Sequence, residues 1–305
     1  PVRRLNEDSL MIKTVRLTSW AKLNLYLEVL GKRQDGYHNI STIFERISLA
    51  DEITINETDN GHIKIESDAR DIPKNSRNLA YKAAALLRDD LGIRKAVAIQ
   101  IKKRIPAGAG LGGGSSNAAG VLLGLNQLWN LKLNKKKLLE YGAQLGSDVA
   151  FFLSGASFAL GNGRGEKIKP LTNFKKRLWH VVAVPKLKVS TQKIYEEYDK
   201  STAQMVRLRP SASSGLRLPL AGADLGKVPI KRILFNRLED VTFKRYPQVK
   251  KLKMRLKAQG MKNVLMSGSG GAVFGIVNSR KEGLRIARIF SRDKDLKVFV
   301  AGTAR

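Results

Sequence analysis

The amino-acid sequence predicts an α+β protein of two domains, and three observations carry that reading. A strand, a glycine-rich loop and a long helix follow one another over residues 96–129. In the C-terminal half, helical segments alternate with single strands, the pattern of an α+β layer. Between the halves, Gly161-Asn162-Gly163-Arg164-Gly165-Glu166 interrupts the periodicity. That stretch is the expected boundary and gives domains of residues 11–162 and 163–305. A chain of 305 residues is long enough for both.

The elements follow in order. Residues 1–10 precede Met11 and are expected to lie outside the fold. Alternating apolar positions predict strands at Ile12–Leu17 and Leu23–Leu27, with further short strands at Glu52–Ile55 and His62–Ile65, each bounded by Asp, Asn or Gly. Leu79, Ala80, Ala83, Ala84, Leu87 and Leu91 recur at helical spacing, so Asn78–Leu91 is a helix that Gly92 ends. Ala96–Ile101 is a strand that feeds the glycine loop, and a helix follows from about Ser115 to Trp129. Lys135–Leu145 is another helix, and Val149–Leu153 a short apolar segment. Beyond the boundary the expectation is a strand at Leu178–Val184 and a helix at Thr191–Tyr198. Residues 201–229, rich in Ser, Pro, Gly and Arg without a period, read as a mobile loop. Helices at Lys231–Arg245, Val249–Gln259 and Arg280–Phe290 and strands at Asn263–Met266, Ala272–Val277 and Lys297–Val300 complete the chain.

Composition narrows the chemistry. Cysteine is absent, so disulfides and thiolate metal sites are excluded, which fits a reducing cytoplasm. With three His, no dedicated transition-metal site is visible; His62 and His180 read as surface or core residues. No apolar run approaches the length of a membrane helix. The net charge is +30 and uneven: residues 1–160 carry 23 basic and 16 acidic side chains, residues 161–305 carry 33 and 10. Such a balance suggests a polyanionic partner. Yet the cations are dispersed, the longest run being Lys135-Lys136-Lys137, and no zinc-finger, basic-zipper or aromatic RNA-binding pattern accompanies them. Attraction of anionic small molecules accounts for the charge equally well.

The chemical signal is the loop Pro106-Ala107-Gly108-Ala109-Gly110-Leu111-Gly112-Gly113-Gly114-Ser115-Ser116. Glycine allows close approach of backbone to ligand, and the helix that follows offers unpaired N–H groups to an anion. The loop therefore reads as a phosphate cradle, with Ser115 and Ser116 as added donors. It is not a Walker loop, because Ser115 rather than Lys follows Gly114. Gly108, Gly110 and Gly113 satisfy the dinucleotide spacing, but no acidic residue lies between Ala107 and Lys137 to hold a ribose. The H-R-D and D-F-G signatures of protein kinases are absent.

Pro106–Ser116 resembles the second motif of the GHMP kinases, the superfamily of galacto-, homoserine and mevalonate kinases. Ala21-Lys22-Leu23-Asn24-Leu25 resembles its N-terminal motif, and Met266-Ser267-Gly268-Ser269-Gly270-Gly271-Ala272 its C-terminal glycine motif, in the expected order. Leu30–His38, Leu145–Phe152, Gly163–Glu166 and Leu234–Glu239 are similar to segments of one subgroup, whose substrate is a cytidine diphosphate-linked methylerythritol. Trp20 and Ala150 depart from that subgroup's usual Pro.

The resemblance implies a two-domain GHMP kinase fold, with an N-terminal nucleotide-binding α/β domain and a C-terminal ferredoxin-like α+β domain. It implies ATP with Mg2+ as phosphoryl donor and phosphorylation of a substrate hydroxyl on the non-mevalonate route to isoprenoid precursors. Small molecules are then the partners, with no membrane, no nucleic acid and a monomer or weak dimer in the cytoplasm. Asp148 becomes the catalytic base, although alone it reads as a turn or helix N-cap. Lys22 becomes the cation beside it, although alone it reads as a solvated strand lysine. Tyr37 and Tyr195 would stack on the base and His38 would read its edge, with Asn24, Thr191, Ser267, Gly268, Ser269 and Gly270 as further substrate contacts. Two alternatives stay open: another GHMP kinase with a different alcohol, and a nucleic-acid-binding protein on the same fold.

Overall fold

The computed structural model describes residues 13–59, 61–208 and 225–305. The expected extension at residues 1–10 lies outside them. Two strands dominate the N-terminal half, β1 (Thr14–Lys32) and β2 (His38–Thr58), paired antiparallel along their length. The sequence shows β1 as two pieces because its register shifts at Trp20/Ala21 and Asn24/Tyr26, and such bulges bend a strand without ending it. Residues 21–29 are all buried, since this stretch is covered on both faces, and the burial takes in the polar positions Lys22, Asn24 and Glu28 of the alternation as well.

Around this pair, β3 (Ile63–Ser67), β4 (Ala96–Lys102), β5 (Phe158–Asn162), β6 (Lys167–Pro170) and β8 (Phe235–Asn236) complete a seven-stranded sheet, with the order β3-β4-β2-β1-β8, β5 paired to β2 and β6 paired to β5. Helices α1 (Leu79–Asp90), α2 (Gly113–Leu128), α3 (Lys135–Leu145) and α4 (Val149–Ser154) cover it, packing Ala83, Leu87, Leu122, Leu125 and Phe151 on Ile53, Ile55 and Ile99. Their starts follow from local chemistry: Asn78 accepts a capping bond from Ala80 N (2.9 Å) and Asn134 from Lys137 N (2.9 Å). The short apolar segment at 149–153 is helical.

The second sheet has the order β11-β7-β10-β9, formed by β7 (Trp179–Pro185), β9 (Val264–Met266), β10 (Val273–Val277) and β11 (Leu296–Gly302), with all pairs antiparallel. Helix α5 (Thr191–Leu208) follows β7 and α9 (Arg280–Phe290) joins β10 to β11, the strand order of a ferredoxin-like layer. The chain matches the predicted fold class at this level. Between α5 and β9 run α6 (Ile230–Ile233), β8, α7 (Glu239–Arg245) and α8 (Pro247–Lys257).

Three expectations change in detail. The segment 231–245 is two helices interrupted by β8, whose Tyr26–Phe235 and Leu27–Asn236 pairings draw it onto β1. Residues 201–208 continue α5, and residues 225–229 form turns; the remainder of the expected loop, 209–224, lies outside the described residues. The glycine stretch at 161–166 is the turn between β5 and β6, so the expected division after residue 162 falls inside a hairpin of the first sheet. The two layers also share a core, in which Leu23, Leu25 and Ile47 meet Val182, Val184 and Phe274.

Candidate active site

The phosphate cradle begins where β4 ends, and a buried carboxylate shapes its entry. Asp51 is fully buried and accepts from Arg104 N (2.7 Å), Ile105 N (2.8 Å) and Lys103 Nζ (2.7 Å). Three donors on one carboxylate hold the chain as it turns into the loop. Helix α2 then starts at Gly113 with Gly112 in its N-cap position and no side-chain capping bond, which leaves first-turn amides open to an anion.

Two of the glycines are demanded by geometry. Gly110 has φ +78°, and a Cβ there would stand 2.4 Å from the carbonyl oxygen of Ser267. Gly112 has φ +70°, and a Cβ there would meet the Lys22 Cγ at 2.9 Å. The close approach at Gly110 is a clasp between two glycine loops distant in sequence. Ala272 N donates to Ala109 O (3.0 Å), Ser267 Oγ donates to Gly110 O (3.1 Å), and Asn236 Nδ2 donates to Met266 O (2.9 Å) and Gly268 O (2.7 Å).

Beside Gly112 lies the ion pair expected from the sequence. Lys22 Nζ stands 3.3 Å from Asp148 Oδ2, with the lysine side chain 5% exposed and the aspartate 30%. The two-residue period of β1 places Lys22 and Asn24 on one face, and Asn24 Oδ1 accepts from Lys22 Nζ at 2.6 Å. Asn24 is itself oriented through Nδ2, which donates to Thr42 Oγ1 (2.8 Å). Asp148 occupies the N-cap position of α4, yet its side chain makes no capping bond. An aspartate that forgoes its ordinary local role and turns to a buried lysine has a structure unlike the simple N-cap.

A third wall comes from α5. Thr191, Tyr195 and Asp199 recur at a spacing of four and share one face of the helix toward the cleft. Tyr195 stacks on His38 with ring centroids 4.8 Å apart. Burial, with the charge of Asp148 as a second contribution, pushes the Tyr195 phenol up, so it stays neutral at physiological pH. Asp199 accepts from His38 Nε2 (2.6 Å) and Lys32 Nζ (2.7 Å). Burial acts to raise its carboxyl, but those two bonds outweigh it and hold the group below the usual range. Thr191 Oγ1 lies 2.7 Å from Ser269 Oγ, which ties this wall to the second glycine loop.

These walls enclose a cleft of about 790 Å3. Of the residues expected from the sequence, Lys22, Asn24, Tyr37, His38, Asp148, Thr191, Tyr195, Gly268 and Ser269 line it, together with Gly110, Gly112 and Ser115 of the cradle. Others stand behind that lining. The Ala109 and Leu111 side chains are buried in the shared core, Ser116 Oγ accepts from Ser19 Oγ (2.8 Å), and Ser267 is fully buried in the clasp. Pro106, Ala107, Gly108, Gly113, Gly114 and Gly270 are also outside the lining. Tyr37 is 57% exposed, and the Arg164 guanidinium covers its ring at 4.9 Å from the centroid. Sequence reasoning missed Asp51 and Asp199, whose partners are up to 161 positions away, and gave Arg164 no role although it quoted the Gly163–Glu166 segment. For Asp199, the i, i+4 spacing from Tyr195 is the signal that marks its face.

Comparison with known proteins adds an independent finding. Residues 78–156 match the GHMP kinases N terminal domain, and residues 227–295 match the GHMP kinases C terminal domain. The chain is similar to the 4-diphosphocytidyl-2-C-methyl-D-erythritol kinase of Bacillus pumilus, 42% identical over 87% of this chain and 89% of the relative. It is likewise 43% identical to that of Moorella thermoacetica, over 89% of this chain and 93% of the relative. A crystal structure of a 4-(cytidine 5'-diphospho)-2C-methyl-D-erythritol kinase superposes with a TM-score of 0.73 at 33% identity, covering 95% of this chain and all of the other.

Proposed function

This chain belongs to the 4-diphosphocytidyl-2-C-methyl-D-erythritol kinases of the GHMP superfamily, and from that premise we propose which of its groups carry the reaction. The reaction is transfer of the γ-phosphoryl group of ATP to the 2-hydroxyl of 4-diphosphocytidyl-2-C-methyl-D-erythritol, a step toward isoprenoid precursors. The observation that carries the assignment is the Lys22–Asp148 pair at the floor of the cleft, 3.3 Å apart, between the phosphate cradle and the aromatic wall.

Asp148 takes the proton of the attacking hydroxyl, and its 30% exposure leaves its free oxygen reachable by substrate. Lys22, held by Asn24, stands beside that carboxylate and offers its charge to the transferring phosphoryl. Phosphoryl transfer depends on positioning and charge stabilisation, and both groups are fixed before substrate arrives. The open amides at Gly112–Ser115 receive the phosphates of ATP, while Tyr37, His38 and Tyr195 receive the cytosine.

Mg2+ enters with the nucleotide. Among the described residues no cluster of three His, Cys, Asp or Glu exists, so phosphate oxygens supply most of its ligands. The Ser115 hydroxyl and the Asp148 carboxylate are two of the hard oxygen donors in the cleft that would hold it, and bound there it would neutralise charge on the phosphates. Among the same residues no helix is long and apolar enough to cross a membrane. The described residues that line the cleft supply both reacting groups from one chain, which supports a monomer or weak dimer. We place the domain division within residues 171–178, after the β5–β6 hairpin.

ADP release from MgATP tests the substrate. Turnover with 4-diphosphocytidyl-2-C-methyl-D-erythritol, and none with mevalonate or homoserine, is the expected result. Equal turnover with the smaller alcohols would remove the cytidine assignment while leaving the kinase.

A further inference from the structure

The cleft contains a cation that the mechanism above leaves unused. Arg164 sits at the turn between β5 and β6, flanked by Gly163 (φ +70°) and Gly165 (φ +111°). The turn is rigid: Ile40 N donates to Gly163 O (2.7 Å), and Arg164 N donates to Glu166 Oε2 (2.6 Å). This fixes the Arg164 backbone beside the strand that begins with His38.

The other cations of the cleft are neutralised. Lys22 faces Asp148 and Lys32 faces Asp199; nearby, Arg33 bonds Asp35 through Nε and through NH2 at 2.9 Å. The Arg164 guanidinium, also in the cleft lining, makes no ion pair within 4 Å among the described residues, although its charge reaches the Asp35 carboxylate. It lies instead over the Tyr37 ring, 4.9 Å from the centroid. An arginine fork seeks a bidentate anion, and an aromatic face is a weaker substitute.

We propose that Arg164 is a specificity-determining residue that covers Tyr37 in the free protein and moves to the diphosphate of the substrate when the cytosine takes that ring face. The inference rests on the assignment of Tyr37 to the cytosine. The base displaces the guanidinium from the ring, and the same ligand brings the anion that receives it. Arg164 thus selects a nucleotide diphosphate over a bare nucleoside, whereas Tyr37, His38 and Tyr195 select the base.

The test measures binding of cytidine and of CDP, by calorimetry, to the wild type, Arg164→Gln and Arg164→Lys. The wild type binds CDP more tightly than cytidine, and Arg164→Gln narrows that ratio about tenfold, with cytidine affinity changed by less than about threefold. Arg164→Lys keeps the charge without the fork and recovers part of the ratio. In turnover, the KM for the cytidylated substrate rises in Arg164→Gln while kcat and the KM for ATP hold. An unchanged CDP-to-cytidine ratio in Arg164→Gln overturns the proposal. Failure of the wild type to bind either ligand overturns the cytidine assignment itself and this inference with it.

Discussion

Replacing Gly110 with Ala separates two demands that the cradle makes on one residue. At φ +78° any side chain meets the left-handed penalty, about 1–2 kcal/mol. The added Cβ also stands 2.4 Å from Ser267 O and 3.0 Å from Gly270 O, both backbone atoms that cannot rotate away. Forcing the loops apart is an overpacking cost of about 1–3 kcal/mol, and it strains the Ser267 Oγ–Gly110 O and Ala272 N–Ala109 O bonds. Gly108 supplies the control, since its φ is +66° and a Cβ there meets nothing within 4 Å. Gly108→Ala should therefore lose only the backbone term. At about 2 °C per kcal/mol for a chain of this size, thermal unfolding should fall by about 2–4 °C in Gly108→Ala and about 4–10 °C in Gly110→Ala. The KM for ATP should rise more in Gly110→Ala. Scanning calorimetry of both variants reads the difference. Equal shifts would show that the clasp between the two glycine loops does not restrain the cradle.

Asp51→Asn should lower stability by about 3–5 kcal/mol, because it leaves Lys103 buried at 8% exposure without its counter-charge; a denaturant midpoint near that of the wild type would contradict it. Asp199→Asn should show a pH-dependent loss. The Asp199 carboxyl is held below its usual range when folded, so its contribution is present above about pH 4 and fades as pH falls through the folded-state value. The gap between wild type and variant should thus close in acid, and a gap that widens there would reverse the sign of the argument. Tyr195→Phe should leave kcat within about threefold, because the phenol stays neutral and offers only its ring to the base, whereas Tyr195→Ala should raise the KM for the cytidylated substrate about tenfold. Steady-state kinetics on both variants check it.

The glycine cradle was legible because its chemistry is local. Three glycines between the strand and the helix, with two more in the first turn of the helix, constrain one stretch of backbone, and the positive φ at Gly108, Gly110 and Gly112 is the reason for that spelling. Helix α3 matched its predicted ends because Asn134 caps it and a periodic run follows. Periodicity fell short at β1, whose register shifts made one strand read as two, and at α7, where β8 divides a run that reads as one helix. Asp148 illustrates the harder limit. Its local sequence predicts a cap, and only the approach of Lys22, 126 positions earlier, distinguishes a different role. The roles of Asp51, Asp199 and Arg164 escaped for the same reason. Their meaning lies in partners that the fold brings together, and no spacing within the chain encodes such a meeting. The charge of +30 was visible at once, yet in the cleft most cations are paired, so net charge alone identified no site.

The account stands on Asp148 as the base. Single-turnover transfer of the labelled γ-phosphoryl of ATP to 4-diphosphocytidyl-2-C-methyl-D-erythritol, in wild type and Asp148→Asn, tests this directly. The substitution removes no capping bond but takes the counter-charge from buried Lys22, so thermal unfolding should fall somewhat, while the transfer rate of the folded protein falls about 10²- to 10⁴-fold. A folded Asp148→Asn protein that transfers phosphoryl at the wild-type rate would contradict it.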